Sequence, residues 1–192
     1  MVGSLLKFLY FDIGFTLRYW FWKLVIHSMG GSVGKDVKFY GGVRIVGNGP
    51  DAIHIGDGVR ILRGVTISTS PAGKIHIGEK VHIGENNIIF SDIGITIGDN
   101  VIIGPQNIIV DFDHIYKNVE NPINQQGINK KEIIIEEDVW ISSHCVITKG
   151  IRIGKGAVIG AGSVVNKDVP AYCVAVGVPV RVIKKRGDTS KT

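Results

Sequence analysis

The sequence predicts an all-β solenoid with three short strands in each coil. Aliphatic residues recur at steps of six, a period that fits neither an α-helix nor a plain β alternation. They group into triples, and extra residues enter the chain only after the third member of a triple. Three sides per coil, with every insertion at one corner, describe a triangular prism. The predicted rungs are Ile55, Ile61, Ile67; Ile77, Ile83, Ile89; Ile97, Ile103, Ile109; Ile135, Ile141, Ile147; Ile153, Ile159 and Val165.

The residues between the rungs fit the same prism. A small or aliphatic residue recurs four positions after a rung, where it would also point inward. Glycine often follows a rung directly, and we expect its backbone freedom to help form the corner. Asn87 and Asn107 fall in inward positions, so their amides must bond to neighbouring backbone groups. The insertions expected along one edge of the prism are residues 68–74, 91–94 and 110–134.

Composition and charge limit the class of protein. A chain of 192 residues with a repeat of this kind is expected to form one domain. Its two cysteines do not make a disulfide framework, which favours a reducing cytosol. Most of the net charge of +5 lies in residues 166–192, and a basic end of this kind can hold phosphate groups or approach an anionic membrane. No nucleic-acid-binding motif accompanies the charge, so no nucleic-acid partner is expected.

The N-terminal residues differ from the repeats. Apolar residues at steps of three and four predict an amphipathic helix within residues 1–30. Charged residues interrupt it too often for a transmembrane span, and Asp12 and Arg18 fall where a signal peptide needs an uncharged core. Three roles stay open: packing on the solenoid, a subunit contact, or a peripheral membrane contact through residues 1–28. The apolar stripe consists of Leu6, Tyr10, Ile13, Leu17, Trp20 and Leu24.

The residue before each rung should point outward, and these residues distinguish the three sides of the prism. The first side is mostly polar, and the second is mixed. The third side is largely apolar, with Thr66, Ile88, Ile108, Val146 and Val164. An apolar column on the outside of a prism needs cover. We therefore infer that the second and third sides meet other copies of the chain, as in a trimer around a threefold axis.

Several segments resemble one known family. They are VDFDH at residues 110–114, EEDVWISSHCVITKGIRIGKGAVIGAGSVVNKDVP at residues 136–170 and GVPVRVIKK at residues 177–185. With the repeats, they resemble the hexapeptide-repeat acyltransferases, in the branch of maltose, galactoside, nodulation-factor and polysaccharide O-acetyltransferases. The resemblance implies a left-handed parallel β-helix, although the usual right-handed crossover rule argues against that hand. It also implies a homotrimer with acetyl-CoA in the groove between subunits.

The resemblance and the repeats together give a layout for the chain. We expect an N-terminal amphipathic helix at residues 1–30. The β-helix should span residues 37–170, with a catalytic loop at residues 110–134. A C-terminal strand and basic tail should occupy residues 171–192.

Acetyl transfer to a hydroxyl needs a base on that hydroxyl and a donor for the developing oxyanion. Histidine suits the first task because its pKa lies near working pH. His114 resembles the family's catalytic histidine, and either Asp111 or Asp113 would fix its tautomer. The backbone N–H of Ser143 aligns with the oxyanion donor. The chain departs from the family pattern at Ser142, where the family usually has glycine.

Other positions match the family's binding residues. The outward Trp140 would line the acetyl or pantetheine channel, small residues would leave room for pantetheine, and basic residues would meet the phosphates. Asp92 matches an acceptor contact, and Asn86 on the preceding coil is a second candidate for that role. The expected acetyl-CoA contacts are Trp140, Ser143, Ala161, Gly162, Lys167, Arg181 and Lys184.

These observations predict an acetyl-CoA-dependent O-acetyltransferase that modifies a sugar hydroxyl in cell-surface polysaccharide biosynthesis. The location would be cytoplasmic, at the inner face of the membrane if the acceptor is lipid-linked. N-acetylation of an amino sugar is an alternative within the same chemistry.

Two alternatives come from other classes of protein, namely a zinc-dependent carbonic-anhydrase-like hydratase and a non-catalytic scaffold. His54 and His76 stack one coil apart, but His82 lies on another side, so we expect no metal. His144 and Cys145 are not expected to form a nucleophilic pair, because Cys145 belongs to the inward register and His144 should be exposed.

Overall fold

A computed structural model of the chain describes residues 14–188 and confirms the predicted solenoid. The strands stack in parallel into three sheets, which are the sides of a left-handed β-helix. Each predicted rung pairs with the rung of the next coil, as Ile97 does with Ile77 on one side and Ile135 on the other. The rungs are buried and form one continuous aliphatic core.

The strands run around the prism in a fixed order. The first sheet contains β1 (Ser32–Val33), β4 (Ile53–Ile55), β7 (Ile75–Ile77), β10 (Ile95–Ile97), β15 (Ile133–Ile135) and β18 (Arg152–Ile153). The second contains β2 (Lys38–Phe39), β5 (Arg60–Ile61), β8 (His82–Ile83), β11 (Ile102–Ile103), β16 (Trp140–Ile141), β19 (Val158–Ile159), β21 (Cys173–Val176) and β22 (Arg181–Lys185). The third contains β3 (Arg44–Val46), β6 (Thr66–Thr69), β9 (Ile88–Ser91), β12 (Ile108–Val110), β17 (Val146–Ile147) and β20 (Val164–Val165).

The parallel pairing begins before the predicted start at residue 37. Val33 is buried and pairs with Ile55, which makes it the first rung of a coil that continues through Phe39 and Ile45. At the other end, the predicted C-terminal strand is a pair of strands. There β22 runs antiparallel to β21 and closes the second sheet.

The predicted insertions all leave the prism at one corner, after the third sheet. Ser68 pairs with Phe90 and Phe90 with Val110, so the strands that precede the insertions lie directly above one another. We call this corner the loop edge; it comprises residues 68–74, 91–94 and 111–132. The corner between the second and third sheets carries no insertions. We call it the smooth edge, and its residues are 84–87, 104–107, 142–145 and 160–163.

The inward asparagines bond to neighbouring backbone as predicted. The Asn87 amide donates to the carbonyl oxygens of Gly84 and Gly104, at 2.8 Å in both cases. Its oxygen accepts from the N–H of Asn107, whose own side-chain oxygen accepts from the N–H of Cys145 at 2.7 Å. These amides connect three successive coils along the smooth edge. Their role is structural, because the amides bond to the corner of their own coil and to the next coil.

The glycines that follow the rungs are required for a different reason from the one predicted. The left-handed backbone conformation belongs to the residue three positions before a rung, such as Gly58 with φ 69° or Asn86 with φ 56°. Gly84 follows a rung and lies outside that conformation. A Cβ at Gly84 would lie 2.7 Å from the carbonyl carbon of Gly104, in the next coil. Close approach between coils, rather than backbone freedom, therefore selects glycine directly after the rung.

The helix α1 (Gly14–Ser28) packs across the N-terminal end of the prism. Ile26 is fully buried, the Trp22 and Phe39 rings lie 6.3 Å apart, and the Tyr19 hydroxyl donates to the Gly34 carbonyl oxygen. The predicted stripe lies on the opposite, exposed face at Leu17, Trp20 and Leu24, while its members Leu6, Tyr10 and Ile13 lie outside the described residues. Among residues 14–188, no helix is long and apolar enough to cross a bilayer.

We predict that Gly84→Ala destabilises the fold by about 1–3 kcal/mol, because the added methyl group must push two coils apart. Gly41→Ala is the matched control, since a Cβ there meets no atom within 4 Å and the residue is not left-handed. Urea unfolding of both variants measures the difference. Equal stability of the two variants would contradict the close-approach explanation.

Candidate active site at the loop edge

The catalytic loop predicted from the sequence contains an ordered β-hairpin. After β12 the chain forms β13 (Phe112–His114), which pairs antiparallel with β14 (Ile128–Lys130). His114 is the last residue of β13, lies opposite Ile128 and is exposed. Within residues 14–188, no side chain or backbone group is hydrogen-bonded to its ring. The imidazole is thus held on a defined strand and is open to an incoming ligand.

The carboxylate of Asp111 is fully used inside the fold. It is 0% exposed and accepts hydrogen bonds from the Ser91 hydroxyl and from the N–H groups of Asp92, Ile93 and Gly94, at 2.7 to 3.0 Å. These donors form the tight insertion of the preceding coil. Asp111 therefore holds the base of the hairpin to that insertion, and its two oxygens are engaged away from the His114 ring. Of the two aspartates predicted to orient His114, only Asp113 has an exposed side chain.

Two ion pairs hold the hairpin between neighbouring coils. Lys130 on β14 lies 2.6 Å from Oδ2 of Asp92 in the preceding coil, and Lys149 of the following coil lies 2.5 Å from Oδ2 of Asp113 on β13. The Phe112 ring also packs edge-on against Phe90. Neither lysine was predicted from the sequence. Lys149 could have been found from the repeat alone, because it stands two residues after a third-side rung and so lies at the loop edge.

The environment of Asp92 shifts its titration. Burial alone would raise the pKa of this carboxyl, which is 6% exposed. The hydrogen bonds from Lys130 and Ser70, together with the positive charge of Lys130, outweigh burial and lower the pKa of Asp92 below its ordinary value. Asp92 is therefore an ionised, buried carboxylate at neutral pH. As the structure stands, Lys130 occupies the oxygen that an acceptor would otherwise approach.

The smooth edge contains the predicted oxyanion donor. At the corner between the first and second sheets, the backbone N–H of the residue two positions after a rung donates to a carboxylate of the next coil. The N–H of Lys35 donates to Asp57, and the N–H of Glu79 donates to Asp99. Ser143 is the equivalent residue on the smooth edge, and its N–H has no hydrogen-bond partner in the described part of the chain. A backbone donor in this state is available to a ligand.

The other predicted acetyl-CoA contacts also lie on or beside the smooth edge, with one exception. Ala161 and Gly162 are exposed at this edge. Trp140 lies outward on the second sheet and is 49% exposed, and β22 carries Arg181 and Lys184 alongside β21. Lys167 instead follows the third sheet and lies on the side of the loop edge. The acceptor candidate Asn86 lies on the smooth edge, away from Asp92.

One chain therefore does not bring its predicted site residues together. His114 belongs to the loop edge, whereas Ser143 belongs to the smooth edge, and the whole third sheet lies between them. A side of about five extended residues separates the two edges by roughly 15 Å. This distance is too long for one small acetyl group to meet both residues in a single chain.

The remaining histidines and cysteines show no second catalytic arrangement. His54 bonds to Ser32 and Asp51, and within residues 14–188 no three histidine, cysteine, aspartate or glutamate side chains converge as metal ligands. Cys145 is inward and buried as predicted, and burial raises the pKa of its thiol. His144 is exposed at the smooth edge, also as predicted.

We predict that Lys130→Met makes stability depend differently on pH. The interactions that lower the pKa of Asp92 stabilise the fold at pH values above 3.8, the pKa of this group in the unfolded chain. This stabilisation is lost as the pH falls through the lower pKa of the folded state. The stability lost in Lys130→Met should thus be largest near neutral pH and shrink in acid. Chemical unfolding from neutral pH to pH 3 measures it, with Lys117→Met, an exposed lysine in the same insertion, as control. A stability difference between the wild type and Lys130→Met that does not vary with pH would contradict the ion pair of Lys130 with an ionised Asp92.

Comparison with known proteins supports the interpretation of the six-residue periods as hexapeptide repeats. The family model "Bacterial transferase hexapeptide (six repeats)" matches residues 132–167, and "Hexapeptide repeat of succinyl-transferase" matches residues 74–105. The galactoside O-acetyltransferase of Escherichia coli is 42% identical over 123 residues, which are 64% of this chain and 59% of that protein. The chain spans about half the length of the curated relatives it matches first, between 42% and 59%.

Solved structures resemble the chain over most of its length. The maltose O-acetyltransferase of Clostridium difficile 630 superimposes with a TM-score of 0.57 and 30% identity, covering 85% of this chain and 74% of that one. A single-residue mutant of AntD, an N-acyltransferase from Bacillus cereus, was solved in complex with dTDP-4-amino-4,6-dideoxyglucose and coenzyme A. It superimposes with a TM-score of 0.71 and 26% identity, covering 85% of this chain and 88% of that one. The chain therefore belongs to the hexapeptide-repeat acyltransferases, in the branch that contains the galactoside and maltose O-acetyltransferases.

Proposed function

We propose that the protein transfers an acetyl group from acetyl-CoA to a hydroxyl of a sugar, with His114 as the general base. The observation that carries this proposal is the exposed imidazole at the end of a strand that neighbouring coils hold on both sides. A base must be fixed in position and open to its substrate. His114 meets both conditions. The family relationship supports acetyl-CoA as the donor, because AntD was solved with coenzyme A.

We also propose that the working enzyme is a homotrimer whose site forms between two copies. The separation of His114 from Ser143 supports this, since a second copy can set its smooth edge against the loop edge of the first. The exposed apolar side chains on the second and third sheets and on the hairpin fit such an assembly. They include Ile102, Trp140, Ile88, Ile108, Tyr116 and Val119.

The smooth edge fits the donor substrate. Ala161 and Gly162 leave an open surface, and a Cβ on Gly162 would meet no atom within 4 Å. The exposed Arg181, the partly buried Lys184 and, from the loop edge of the other copy, the exposed Lys167 offer positive charge for phosphate groups. Acetyl-CoA supplies the activated thioester carbonyl.

The residues of the chain then act on the acceptor and on that carbonyl. The His114 ring accepts the proton of the acceptor hydroxyl as its oxygen attacks the thioester carbonyl carbon. The C–S bond then breaks, and the departing sulfur takes that proton from the imidazolium, so that coenzyme A leaves as the thiol. The Ser143 N–H donates to the carbonyl oxygen as negative charge develops there. Asp113 remains our candidate for the residue that orients the imidazole once substrate is bound, with Lys149 holding the carboxylate in place. The ionised Asp92, with Asn86 of the other copy, is the candidate contact for further acceptor hydroxyl groups.

The acceptor class rests on the relatives. The galactoside and maltose enzymes are O-acetyltransferases, which favours a sugar hydroxyl, and we propose a sugar destined for a cell-surface polysaccharide and modified in the cytoplasm. N-acylation of an amino sugar is the second candidate, because AntD is an N-acyltransferase solved with a nucleotide-linked amino sugar. Thiol release with matched hydroxyl and amino sugars, free and nucleotide-linked, distinguishes the two.

We predict that His114→Ala lowers acetyl transfer by about 100-fold or more, the usual worth of a positioned general base, while acetyl-CoA binding stays nearly unchanged. Thiol release measures the first quantity and isothermal calorimetry the second. His76→Ala is the control, because His76 is exposed on the first sheet and should keep full activity. Wild-type activity in His114→Ala would reject the base assignment.

Mixed assemblies test the shared site. His114→Ala removes the base at the loop edge, and Ala161→Trp should block the donor surface at the smooth edge, so each variant alone should be inactive. When the two are unfolded together and refolded, about one quarter of the interfaces pair an intact His114 with an intact Ala161. Activity should therefore return to about that fraction. No recovery, with trimers present by light scattering, would mean that one chain holds the whole site.

A further inference from the structure

The helix α1 is apolar on two faces, and within residues 14–188 only the inner face packs on the prism. Its inner face is fixed to the first coil by the buried Ile26, the Trp22–Phe39 contact and the hydrogen bond from Arg18 Nε to the Phe39 carbonyl oxygen at 2.8 Å. These contacts hold the helix in one orientation. The direction of its other face is therefore a fixed property of the fold.

The other face presents a row of large apolar side chains to the outside. Leu17, Trp20, Phe21 and Leu24 are 65%, 60%, 58% and 72% exposed. Their spacing of three, four and seven residues sets them on one side of the helix. We call these four residues the outer row. The other residues of the range 14–188 leave the outer row exposed, and an apolar surface of this kind favours contact with a partner.

The charges beside the outer row indicate what could cover it. The helix contains Arg18, Lys23 and His27 and no acidic residue. Lys23 Nζ donates to the Tyr19 hydroxyl and lies 5.5 Å from the centre of the Trp20 ring, so a cation accompanies the aromatic surface. Aromatic and aliphatic side chains flanked by cations, without acids, match the boundary between the anionic headgroups and the acyl chains of a bilayer.

The position of the outer row agrees with a flat partner. The helix α1 lies on the end of the prism, whereas the proposed trimer contacts lie on its sides. Three parallel prisms around a threefold axis would present their three outer rows at the same end. Several weak contacts to one plane reinforce one another through multivalency.

We propose that the outer row docks on the surface of a membrane that contains anionic lipids. Leu17, Trp20, Phe21 and Leu24 enter the interface, and Lys23 and His27 meet the headgroups. The prism then stands on the membrane by its N-terminal end, with the loop edges exposed along its length. This docking is independent of the acetyl transfer proposed above, so failure of either proposal leaves the other to its own test.

Sedimentation of the full chain with vesicles tests the proposal. The wild-type protein should partition onto vesicles of phosphatidylcholine mixed with phosphatidylglycerol, less onto phosphatidylcholine alone, and less at high salt. The double variant Trp20→Ser with Leu24→Ser should lose about tenfold in partition, since each lost side chain removes buried apolar area. Ile183→Ser is the control, because Ile183 is 57% exposed on β22, at the opposite end of the prism from α1, and should leave partition unchanged.

The other outcomes overturn the proposal. Circular dichroism and light scattering first establish that the double variant keeps its fold and mass. No binding of the wild-type chain to anionic vesicles, or equal binding of the double variant, would show that the outer row does not dock on a membrane. If the wild-type chain does not bind vesicles and the folded double variant has a smaller mass than the wild type, the outer row forms a contact between copies of the chain.

Discussion

The stacking of one coil on the next at strand spacing is the constraint on which the rest of the structure depends. It leaves no room for a Cβ between Gly84 and Gly104. It also brings the amides of Asn87 and Asn107 within reach of three coils. A residue added on a side or at the smooth edge would break every pairing above it. Extra chain can therefore leave only at the loop edge, and the hairpin with His114 leaves there.

The period of six could be read from the sequence because it fixes the direction of each side chain. The rungs, the inward Asn87 and Cys145 and the common corner of the insertions all follow from it. The reason for glycine after a rung did not follow, because a sequence shows that a position needs a small residue without showing why. A need for backbone freedom and a need for close approach would both select glycine at this position. Only the position of the neighbouring coil in the structure distinguishes the two reasons.

Contacts between the insertions were beyond the sequence for a related reason. The repeat places Ser91 and Asp111 at the same corner, each two residues after a third-side rung. No period relates Lys130 to Asp92, and the direction of their side chains depends on how the chain turns after β12. The two ion pairs are also unequal. In the pair of Lys149 with Asp113, the Asp113 side chain is half exposed, so the pair contributes at most about 1 kcal/mol to the free energy of unfolding. The pair of Lys130 with Asp92 is largely buried on the acid side, and removing Lys130 would leave a buried charge unpaired.

The same constraint explains why the sequence says more about the acyl donor than about the acceptor. The donor surface proposed around Ser143, Ala161 and Gly162 belongs to the smooth edge, where the stacked coils fix each backbone position. The proposed acceptor side is built from residues 91–94 and 111–132. Apart from the buried Ser91, Asp92 and Asp111, which hold the hairpin to the preceding coil, these residues lie outside the coils. Loops on a rigid scaffold can vary without disturbing it. We therefore place the acceptor specificity of the proposed site in the part of the chain that the repeat does not determine, and the exposed side chains of the hairpin are where it should be sought.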